Sequence, residues 1–389
     1  MLKRPIRSES SARPAACKGQ LFAAVTVCVG LLSAGAVQAQ PTRVTTEVVA
    51  SGLQNPWAVA FVGDGRMLVT ERPGRLRVVA PNGTLSEPVA GVPTVDAVGQ
   101  GGLLDLITDR DFARNRVLYF CYSEPAAQGS GNSTALASAR LSADATRLEN
   151  LKVIFSQQPK FSSRLHFGCR IVQAGDGSLF LTLGDRYQRM NDAQTLDNHH
   201  GKVVRVRPDG SAHPDNPFLK RPGALPDIWS LGHRNPQGAT LGPDGRLWVS
   251  EHGPQGGDEI NRPEAGKNYG WPVITYGENY GGGTIGQGLT EKAGMEQPLH
   301  QWTPSIAPSG MAFVTSERYG KAWQGSLLVG SLKFRYLARL ELDGARVVKE
   351  DKLLPDLGQR VRDVREGPDG FMYLLTDDRN GQLLRLVPR

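Results

Sequence analysis

The chain has 389 residues, of which 39% are hydrophobic and 21% are charged, and it contains 46 glycines and 26 prolines. This composition is typical of a soluble, turn-rich globular protein with a large core, and it excludes a disordered tail or a bundle of membrane helices. The formal net charge is +7, but no block of Lys and Arg residues follows the N-terminal segment. We therefore do not expect a nucleic acid as partner.

Residues 1–39 have the three parts of a secretory signal peptide. Five basic residues accompany an apolar stretch, LFAAVTVCVGLL (21–32), and small residues at Val37 and Ala39 predict cleavage after Ala39. The apolar stretch is too short to span a bilayer, so an uncleaved anchor is the weaker alternative. Removing the leader lowers the formal net charge from +7 to +3 and predicts a periplasmic protein with no membrane span.

Two cysteines, Cys121 and Cys169, remain after the predicted cleavage. An oxidising compartment would allow one disulfide between them, but two cysteines do not make a disulfide framework. We favour two unpaired, buried thiols.

The rest of the chain repeats one hairpin pattern. Four copies place Asp-Gly between two apolar strands, which is a strong hairpin signal because both turn positions accept positive φ. Two looser copies, 103–123 and 310–331, have longer connections. The second strands of the six copies are predicted to end near Thr70, Tyr122, Thr182, Ser250, Val329 and Thr376.

Several copies continue into a third strand, such as GRLRVV (74–79) and GQLLRL (381–386). Such antiparallel units cannot bury their faces alone, and closing six of them around an axis removes the exposed sheet edges. We predict an all-β fold, one six-bladed β-propeller over residues 40–389, with a pair of β-sandwiches as the alternative.

Polar residues beside these hairpins form recognisable motifs. GQGGLLD, HFG.R, HRNPQG, EHGP.GGDE.N and NYGWP follow one another along the chain. In this order they resemble the soluble, periplasmic aldose sugar dehydrogenases that depend on pyrroloquinoline quinone (PQQ), relatives of soluble glucose dehydrogenase. The resemblance extends over residues 55–386, and it implies a six-bladed propeller that oxidises the anomeric carbon of an aldose to the lactone.

His166 is similar to the family's catalytic base, which takes the proton of the anomeric hydroxyl while hydride passes from sugar C1 to C5 of PQQ. The sequence agrees, because an imidazole titrates near neutral pH and a hairpin returns Asp185 towards His166, where its carboxylate would orient the ring. A hydrogen-bonded structural histidine is the alternative.

Arg234 is similar to the group at the quinone oxygens, where negative charge develops; an arginine that caps loop carbonyls is the alternative.

The resemblance also implies a set of cofactor contacts. Lys333, Arg360 and Arg362 would bind the three carboxylates of PQQ, and Trp302 would cover the flat ring system. Arg360 and Arg362 alternate along a strand and can point to one face, although a solvated basic strand edge is the alternative. The full set of implied cofactor-binding residues is Gln100, Arg234, Asn235, Tyr280, Trp302, Lys333, Arg360 and Arg362.

Two calcium ions follow from the same resemblance. Gly253 and Pro254 match positions whose main-chain oxygens bind the Ca²⁺ on PQQ, while Glu259 and Tyr269 match a second, structural Ca²⁺. Calcium takes carbonyl and carboxylate oxygens in flexible geometry, as a glycine-rich loop can offer.

The family's dimer-forming loops are not recognisable, which predicts a monomer with a broad range of aldose substrates. The electron acceptor would be a cytochrome or a quinone.

Two other classes of protein stay open on the residues alone. A calcium-dependent propeller lactonase would not need the cations Lys333, Arg360 and Arg362, and a non-catalytic binding propeller would need neither His166 nor Asp185.

Overall fold

The computed structural model of the protein describes residues 43–389. The predicted signal peptide and its cleavage site lie outside the described residues, and the predicted domain start at residue 40 stays a prediction. Within residues 43–389 the only helices are one short α-helix, α1 (Phe112–Asn115), and two 3-10 turns, at Met190–Gln194 and Lys321–Trp323. No helix in this part of the chain is long and apolar enough to cross a membrane.

Six antiparallel sheets contain the strands, five with four strands and one with three. In chain order the strands are β1 (Val44–Leu53), β2 (Pro56–Phe61), β3 (Met67–Glu71), β4 (Arg75–Val79), β5 (Leu103–Thr108), β6 (Val117–Pro125), β7 (Asn132–Leu141), β8 (Leu148–Ser156), β9 (Gly168–Gln173), β10 (Leu179–Leu183), β11 (Lys202–Val206), β12 (Ile228–Leu231), β13 (Pro236–Leu241), β14 (Leu247–Glu251), β15 (Asp258–Asn261), β16 (His300–Trp302), β17 (Pro308–Phe313), β18 (Leu327–Ser331), β19 (Leu337–Asp343), β20 (Arg346–Leu353), β21 (Val361–Glu366), β22 (Met372–Thr376) and β23 (Gly381–Pro388).

Each sheet is one blade of a six-bladed β-propeller, as the repeats predicted. Consecutive strands pair within each blade, and the innermost strands β2, β5, β9, β13, β17 and β21 contact one another from blade to blade around the ring. The last blade combines β21, β22 and β23 with β1, which pairs antiparallel with β23 from Val44 opposite Pro388 to Leu53 opposite Gly381. Both ends of the described chain therefore lie in one sheet, which closes the ring.

The six predicted second strands are β3, β6, β10, β14, β18 and β22, and each contains the residue at which it was predicted to end. The Asp-Gly turns differ from the expectation in one detail. Asp64 has positive φ, at 49°, but the equivalent Asp176 does not. Both side chains accept a hydrogen bond from the N–H two residues on, Asp64 from Arg66 at 3.2 Å and Asp176 from Ser178 at 2.9 Å. An aspartate side chain can thus close the turn by bonding its own backbone two residues on.

The prediction of two free thiols is wrong. Cys121 on β6 and Cys169 on β9 form a disulfide, with their Cα atoms 5.9 Å apart. The two strands belong to neighbouring blades whose faces pack together. Their proximity arises from blade stacking across 48 residues, which no local pattern reveals.

Candidate active site

His166 and Asp185 lie at one end of the hairpin formed by β9 and β10, just before the first strand and just after the second. His166 Nδ1 and Asp185 Oδ1 are 2.6 Å apart, which confirms the predicted pairing. Gly184 permits this close approach, since a Cβ there would lie 2.1 Å from the carbonyl oxygen of His166. The other carboxylate oxygen, Oδ2, accepts a hydrogen bond from Trp271 Nε1 at 2.7 Å.

The charges of this pair follow from its surroundings. Burial lowers the pKa of the His166 imidazole, and it outweighs the opposing effect of the Asp185 carboxylate. Burial acts to raise the pKa of Asp185, but His166, Arg234 and the Tyr187 N–H favour the carboxylate and hold that pKa below its usual range. The pair is therefore a neutral imidazole that donates Nδ1–H to an ionised carboxylate. Among the described residues nothing bonds Nε2, so its lone pair is free to accept a proton.

His166 and Asp185 line a cavity of about 260 Å³, which we call the histidine cavity. Its other walls come from the loop after β10, from the connection between β12 and β13, and from loops of the next blade. They are formed by Tyr187, Met190, Arg234, Pro254, Trp271, Asn279, Tyr280 and Ile285. The Arg234 guanidinium lies 5.2 Å from the centre of the Trp271 ring, and its Nη1 donates to the Gly253 carbonyl at 2.7 Å. Its Nε is buried and has no partner among the described residues.

A second cavity, of about 220 Å³, contains most of the predicted carboxylate contacts. We call it the cationic cavity, and its walls are Trp57, Arg72, Gln100, Asn235, Gln237, His252, Ala307, Leu332, Arg360, Arg362 and Asp377. Three guanidinium groups face one carboxylate here. Asp377 Oδ2 accepts from Arg360 Nη2 and Arg362 Nη2, each at 2.9 Å.

The charge balance of the cationic cavity favours an anionic ligand. Burial acts to raise the pKa of Asp377, but Arg362 and Arg360 outweigh it and lower that pKa to about 2. With Asp377 ionised, the three arginines leave a formal excess of two positive charges. Arg362 Nε is buried and unpartnered among the described residues, so one donor of this cluster is available to a ligand.

The two cavities are adjacent. Arg234 and Asn235 are consecutive residues that line one cavity each, and Asn235 Oδ1 accepts from the Gly168 N–H at 3.2 Å. Gln100 lines the cationic cavity and accepts the His166 N–H on its Oε1 at 2.8 Å. A ligand that bridges the two cavities would therefore bring an anionic part to the arginines and a reacting part to His166.

The predicted metal loop lies directly beneath Arg234. Gly253, Glu259 and Tyr269 line a small void of about 10 Å³, together with Glu251 and Gly257. Asn261 Nδ2 donates to Glu251 Oε1 and Glu259 Oε2, both at 2.8 Å, whereas Asn261 Oδ1 is buried without a partner among the described residues. Burial and the neighbouring Glu251 carboxylate raise the pKa of Glu259. Residues 43–389 contain no cluster of three or more His, Cys, Asp or Glu side chains that could hold a metal, so any ion here would also need main-chain or amide oxygens.

Comparison with known proteins identifies the family. The sequence profile described as Glucose / Sorbosone dehydrogenase matches residues 53–385. This chain belongs to the glucose/sorbosone dehydrogenase family. The aldose sugar dehydrogenase YliI of Escherichia coli (strain K12) is 46% identical over 357 residues, which cover 91% of this chain and 95% of that protein.

Solved structures of the family have the same fold. The soluble aldose sugar dehydrogenase (Asd) from Escherichia coli, in its apo-form, matches with a TM-score of 0.85 at 45% identity, over 89% of this chain and 100% of that one. The PQQ-bound form of the aldose sugar dehydrogenase (Adh) from Streptomyces coelicolor matches with a TM-score of 0.74 at 27% identity, over 90% and 98%.

Two of the implied cofactor-binding residues line neither cavity. Trp302 ends β16, the outermost strand of its blade, and its Nε1 donates to Glu350 Oε2 at 3.0 Å. The Trp302 side chain therefore packs on the outer part of its blade, and Trp57 and Trp271 are the indoles that line the two cavities. Lys333 is exposed next to the cavity residue Leu332, with Nζ 5.2 Å from the centre of the Phe334 ring.

Sequence reasoning did not find Arg72, Trp271 or Asp377. A usable signal existed for Asp377, because the second strands of several copies end in or just before a carboxylate. Glu71, Glu251 and Asp377 follow the predicted end residues directly, and Asp185 comes three residues after Thr182. Arg72 and Trp271 lie in irregular loops, where the repeat gives no register.

Proposed function

We propose that the protein is a PQQ-dependent aldose dehydrogenase that oxidises the anomeric carbon of a sugar to the lactone, with His166 as the base. The observation that carries the proposal is a neutral, carboxylate-oriented imidazole beside a cavity with three arginines. A base and an anion site in adjacent cavities suit a reaction in which the base takes a proton from the substrate and an anionic cofactor takes the hydride.

His166 and Asp185 would have different roles in the reaction of the sugar. The free Nε2 would take the proton of the anomeric hydroxyl, while Asp185 keeps Nδ1 protonated and stabilises the imidazolium that forms. Trp271 Nε1 and the Tyr187 N–H keep the carboxylate in place. Arg234 lines the same cavity, and its guanidinium would stabilise negative charge on the cofactor.

The residues of the cationic cavity fit PQQ. The cofactor has three carboxylates, and the cavity offers Arg72, Arg360 and Arg362 against the single acid Asp377. Gln100 and Asn235 add uncharged polar side chains. When bound, PQQ supplies the hydride acceptor for sugar C1. Lys333 is exposed beside this cavity and would add a weaker contact from the rim.

The metal loop fits calcium. The carbonyls of Gly253 and Pro254 would hold an ion near the cofactor, and Glu259, with the unpartnered Asn261 Oδ1, would hold a second one near Tyr269. These donors are all oxygens, as calcium prefers. A divalent cation would also relieve the repulsion between Glu251 and Glu259 that raises the pKa of Glu259.

We also propose that the mature protein is a periplasmic monomer that passes electrons to a cytochrome or a quinone. The N-terminal sequence supports export, and the disulfide between Cys121 and Cys169 is consistent with an oxidising compartment.

The lactonase and the binding propeller are less well supported. Hydrolysis of a lactone gives no reason for an excess of two positive charges in a closed cavity, and binding alone gives no reason for a base with a free Nε2. Both alternatives are tested by one assay.

The test is reconstitution of the purified protein with PQQ and Ca²⁺ in the presence of an aldose and a redox dye. We expect dye reduction that requires both additions, with the aldonolactone as product. Lactone hydrolysis without PQQ would favour the lactonase, and unaltered sugar after saturation with PQQ and Ca²⁺ would favour the binding propeller.

A further inference from the structure

A cavity of about 450 Å³ lies between the outer strands of two neighbouring blades, and the proposed reaction does not use it. We call it the blade cavity. One of its walls is β16 with the loop that follows it, and the other is formed by the connection between β18 and β19 together with β20. Small-molecule sites usually have about 300 to 1,000 Å³, so the blade cavity is large enough for a ligand of one or two rings.

Three aromatic side chains give the blade cavity an apolar surface. They are Trp302, Phe334 and Tyr336. The rings of Phe334 and Tyr336 are almost parallel, with planes at 10° and centroids 6.4 Å apart. Phe334 is 47% exposed, whereas Trp302 and Tyr336 are buried. A flat, unsaturated ligand can therefore stack on an exposed ring that lies beside two fixed ones.

The polar groups that remain free in the blade cavity are donors. His300 Nε2 is buried and has no hydrogen-bond partner in the described part of the chain. It lies 3.6 Å from Glu350 Oε2, and this carboxylate favours the tautomer with a hydrogen on Nε2. Lys352 Nζ and Gln301 Nε2 likewise have no hydrogen-bond partner within residues 43–389. Three side chains thus offer N–H groups to a ligand.

The carboxylate of the blade cavity is already bonded. Glu350 Oε2 accepts from Trp302 Nε1 at 3.0 Å, and Oε1 accepts from the Tyr336 hydroxyl at 3.5 Å. Its charge formally balances that of Lys352. A cationic ligand would find no free carboxylate, an anionic one would meet Glu350, and a sugar would leave most of its hydroxyl donors unpaired. A flat, neutral molecule with carbonyl oxygens at its edge fits these groups best, and this is the chemistry of a quinone.

The blade cavity shares a wall with the cationic cavity. Ile306 and Phe334 line the blade cavity, and Ala307 and Leu332 line the cationic cavity. The Leu332 N–H donates to the Ala307 carbonyl and the Lys333 N–H donates to the Ile306 carbonyl, both at 3.1 Å. One hydrogen-bonded pair of backbone segments therefore separates the blade cavity from the proposed PQQ site.

We propose that the blade cavity binds the electron acceptor of the dehydrogenase and that this acceptor is a quinone. Its ring would lie on Phe334, and its carbonyl oxygens would accept from Lys352, His300 and Gln301. The inference rests on the proposed function, since it requires reduced PQQ behind the shared wall.

The electrons and protons of this step balance. Oxidation of the aldose to the lactone releases two electrons and two protons. The electrons pass through the cofactor and across the shared wall to the bound quinone, while the protons are released to water. The quinone takes two protons from water, and its two C=O groups become the hydroxyls of the quinol that leaves.

The kinetic test uses protein reconstituted with PQQ and Ca²⁺ at saturating glucose, with either naphthoquinone or ferricyanide as acceptor. Ferricyanide is a rounded trianion that the aromatic surface and Glu350 do not favour. We expect Phe334→Ala and Lys352→Met each to lower kcat/KM for naphthoquinone about tenfold, the effect of a lost contact of about 1.4 kcal/mol. The value for ferricyanide should change less than about twofold. Val48→Ala and Lys349→Met, at other exposed positions, are the matched controls.

An equal loss with both acceptors would overturn the proposal, because the two residues would then act on the cofactor and not on the quinone. A quinone head group can come from a membrane or from solution. Reduction of ubiquinone in phosphatidylcholine vesicles, with the same loss in Phe334→Ala, would identify a membrane quinone, whereas reduction of free naphthoquinone alone would identify a diffusible one. Reduction of neither quinone by protein that reduces ferricyanide would overturn the proposal.

Calorimetry with PQQ-free protein tests the site without the reaction. We expect naphthoquinone to bind wild-type protein and to bind Phe334→Ala and Lys352→Met about tenfold more weakly. No binding, or equal binding by wild type and both variants, would refute the quinone site. Weakened binding in the variants together with no glucose oxidation by either acceptor would retain the quinone site and refute the dehydrogenase.

Discussion

At the scale of single residues, the proposed reaction depends on the protonation state of the His166 imidazole. His166 itself has a left-handed backbone, with φ of 54°, and its N–H is bonded to Gln100. The ring is thus held from the backbone side by Gln100 and from the side-chain side by Asp185. Nine-tenths of the residue is buried, which is what keeps the base neutral next to a carboxylate.

The pH dependence of kcat/KM follows from this state. Because burial lowers the pKa of His166, the base stays neutral to lower pH than an ordinary histidine. We expect activity to fall as pH falls through that lowered pKa, with a midpoint below the ordinary histidine value of about 6.5. In Asp185→Asn the midpoint should move further to acid, since the carboxylate is the group that raises this pKa. A rate profile with its acidic midpoint above 7 would contradict the neutral, buried base.

At the scale of secondary-structure elements, the strands and hairpins could be predicted where short stretches of sequence define them. The Asp-Gly turns indicated the hairpins, and the hairpin between β9 and β10 brought Asp185 to His166. The position of Trp302 outside both cavities has a physical reason: a motif gives the order of residues in the chain but not their radial position in a blade. β16 is an outer strand, so Trp302 points into the periphery. Arg72 and Trp271 were not predicted because they lie in loops outside the repeated strands.

The strand β21 carries the second prediction. Arg362 has two hydrogen bonds, to Asp377 and Gln237, and a buried Nε without a partner in residues 43–389. Arg362→Ala should remove a charge-assisted contact worth about 1.5 to 3 kcal/mol, which weakens PQQ binding roughly tenfold to a hundredfold. Turnover at saturating PQQ should fall much less.

A PQQ titration at fixed excess Ca²⁺ and sugar measures this effect. Lys333→Ala should weaken PQQ binding less than Arg362→Ala, because Lys333 lies outside the cavity wall. Arg346→Ala, on an exposed hairpin, is the control for loss of a surface arginine. An unchanged midpoint for Arg362→Ala would mean that this cluster does not bind PQQ and would reopen the lactonase hypothesis.

The loop between β14 and β15 carries the third prediction. EGTA should abolish activity, and Ca²⁺ should restore it where Zn²⁺ does not, because the available donors are oxygens. Calcium should also raise the thermal midpoint in a concentration-dependent way, as expected for a ligand that binds only the folded state. Glu259→Gln should reduce that rise. A metal-free preparation with full activity would rule out the calcium sites.

At the scale of the whole molecule, stability comes from contacts between blades and from the closure of the ring. The inner strands pack around the channel, and β1 with β23 joins the two ends of the described chain. The six-bladed fold was predictable because the repeat recurs six times. The disulfide was not, because it joins adjacent blades at a point that only the packed structure defines.

Reduction of this disulfide should destabilise the fold without changing the site. The bond joins Cys121 and Cys169 across 48 residues, and such a crosslink contributes about 2 to 4 kcal/mol. Urea denaturation with and without a reductant measures the loss. The Cys121→Ala, Cys169→Ala double variant should lie near the reduced protein and should not respond to the reductant. Identical midpoints for oxidised and reduced wild-type protein would contradict the crosslink.

The central claim is that His166 takes a proton from the sugar while hydride leaves C1 for bound PQQ. The most direct test is a single-turnover stopped-flow experiment that follows the absorbance of PQQ bound with Ca²⁺ after addition of an aldose. We expect bleaching that is slower with deuterium at C1, and slower by about 10²-fold or more in His166→Gln, although that variant should bind PQQ as well as wild type does. Bleaching at the wild-type rate in His166→Gln, or no slowing with the deuterated sugar, would contradict it.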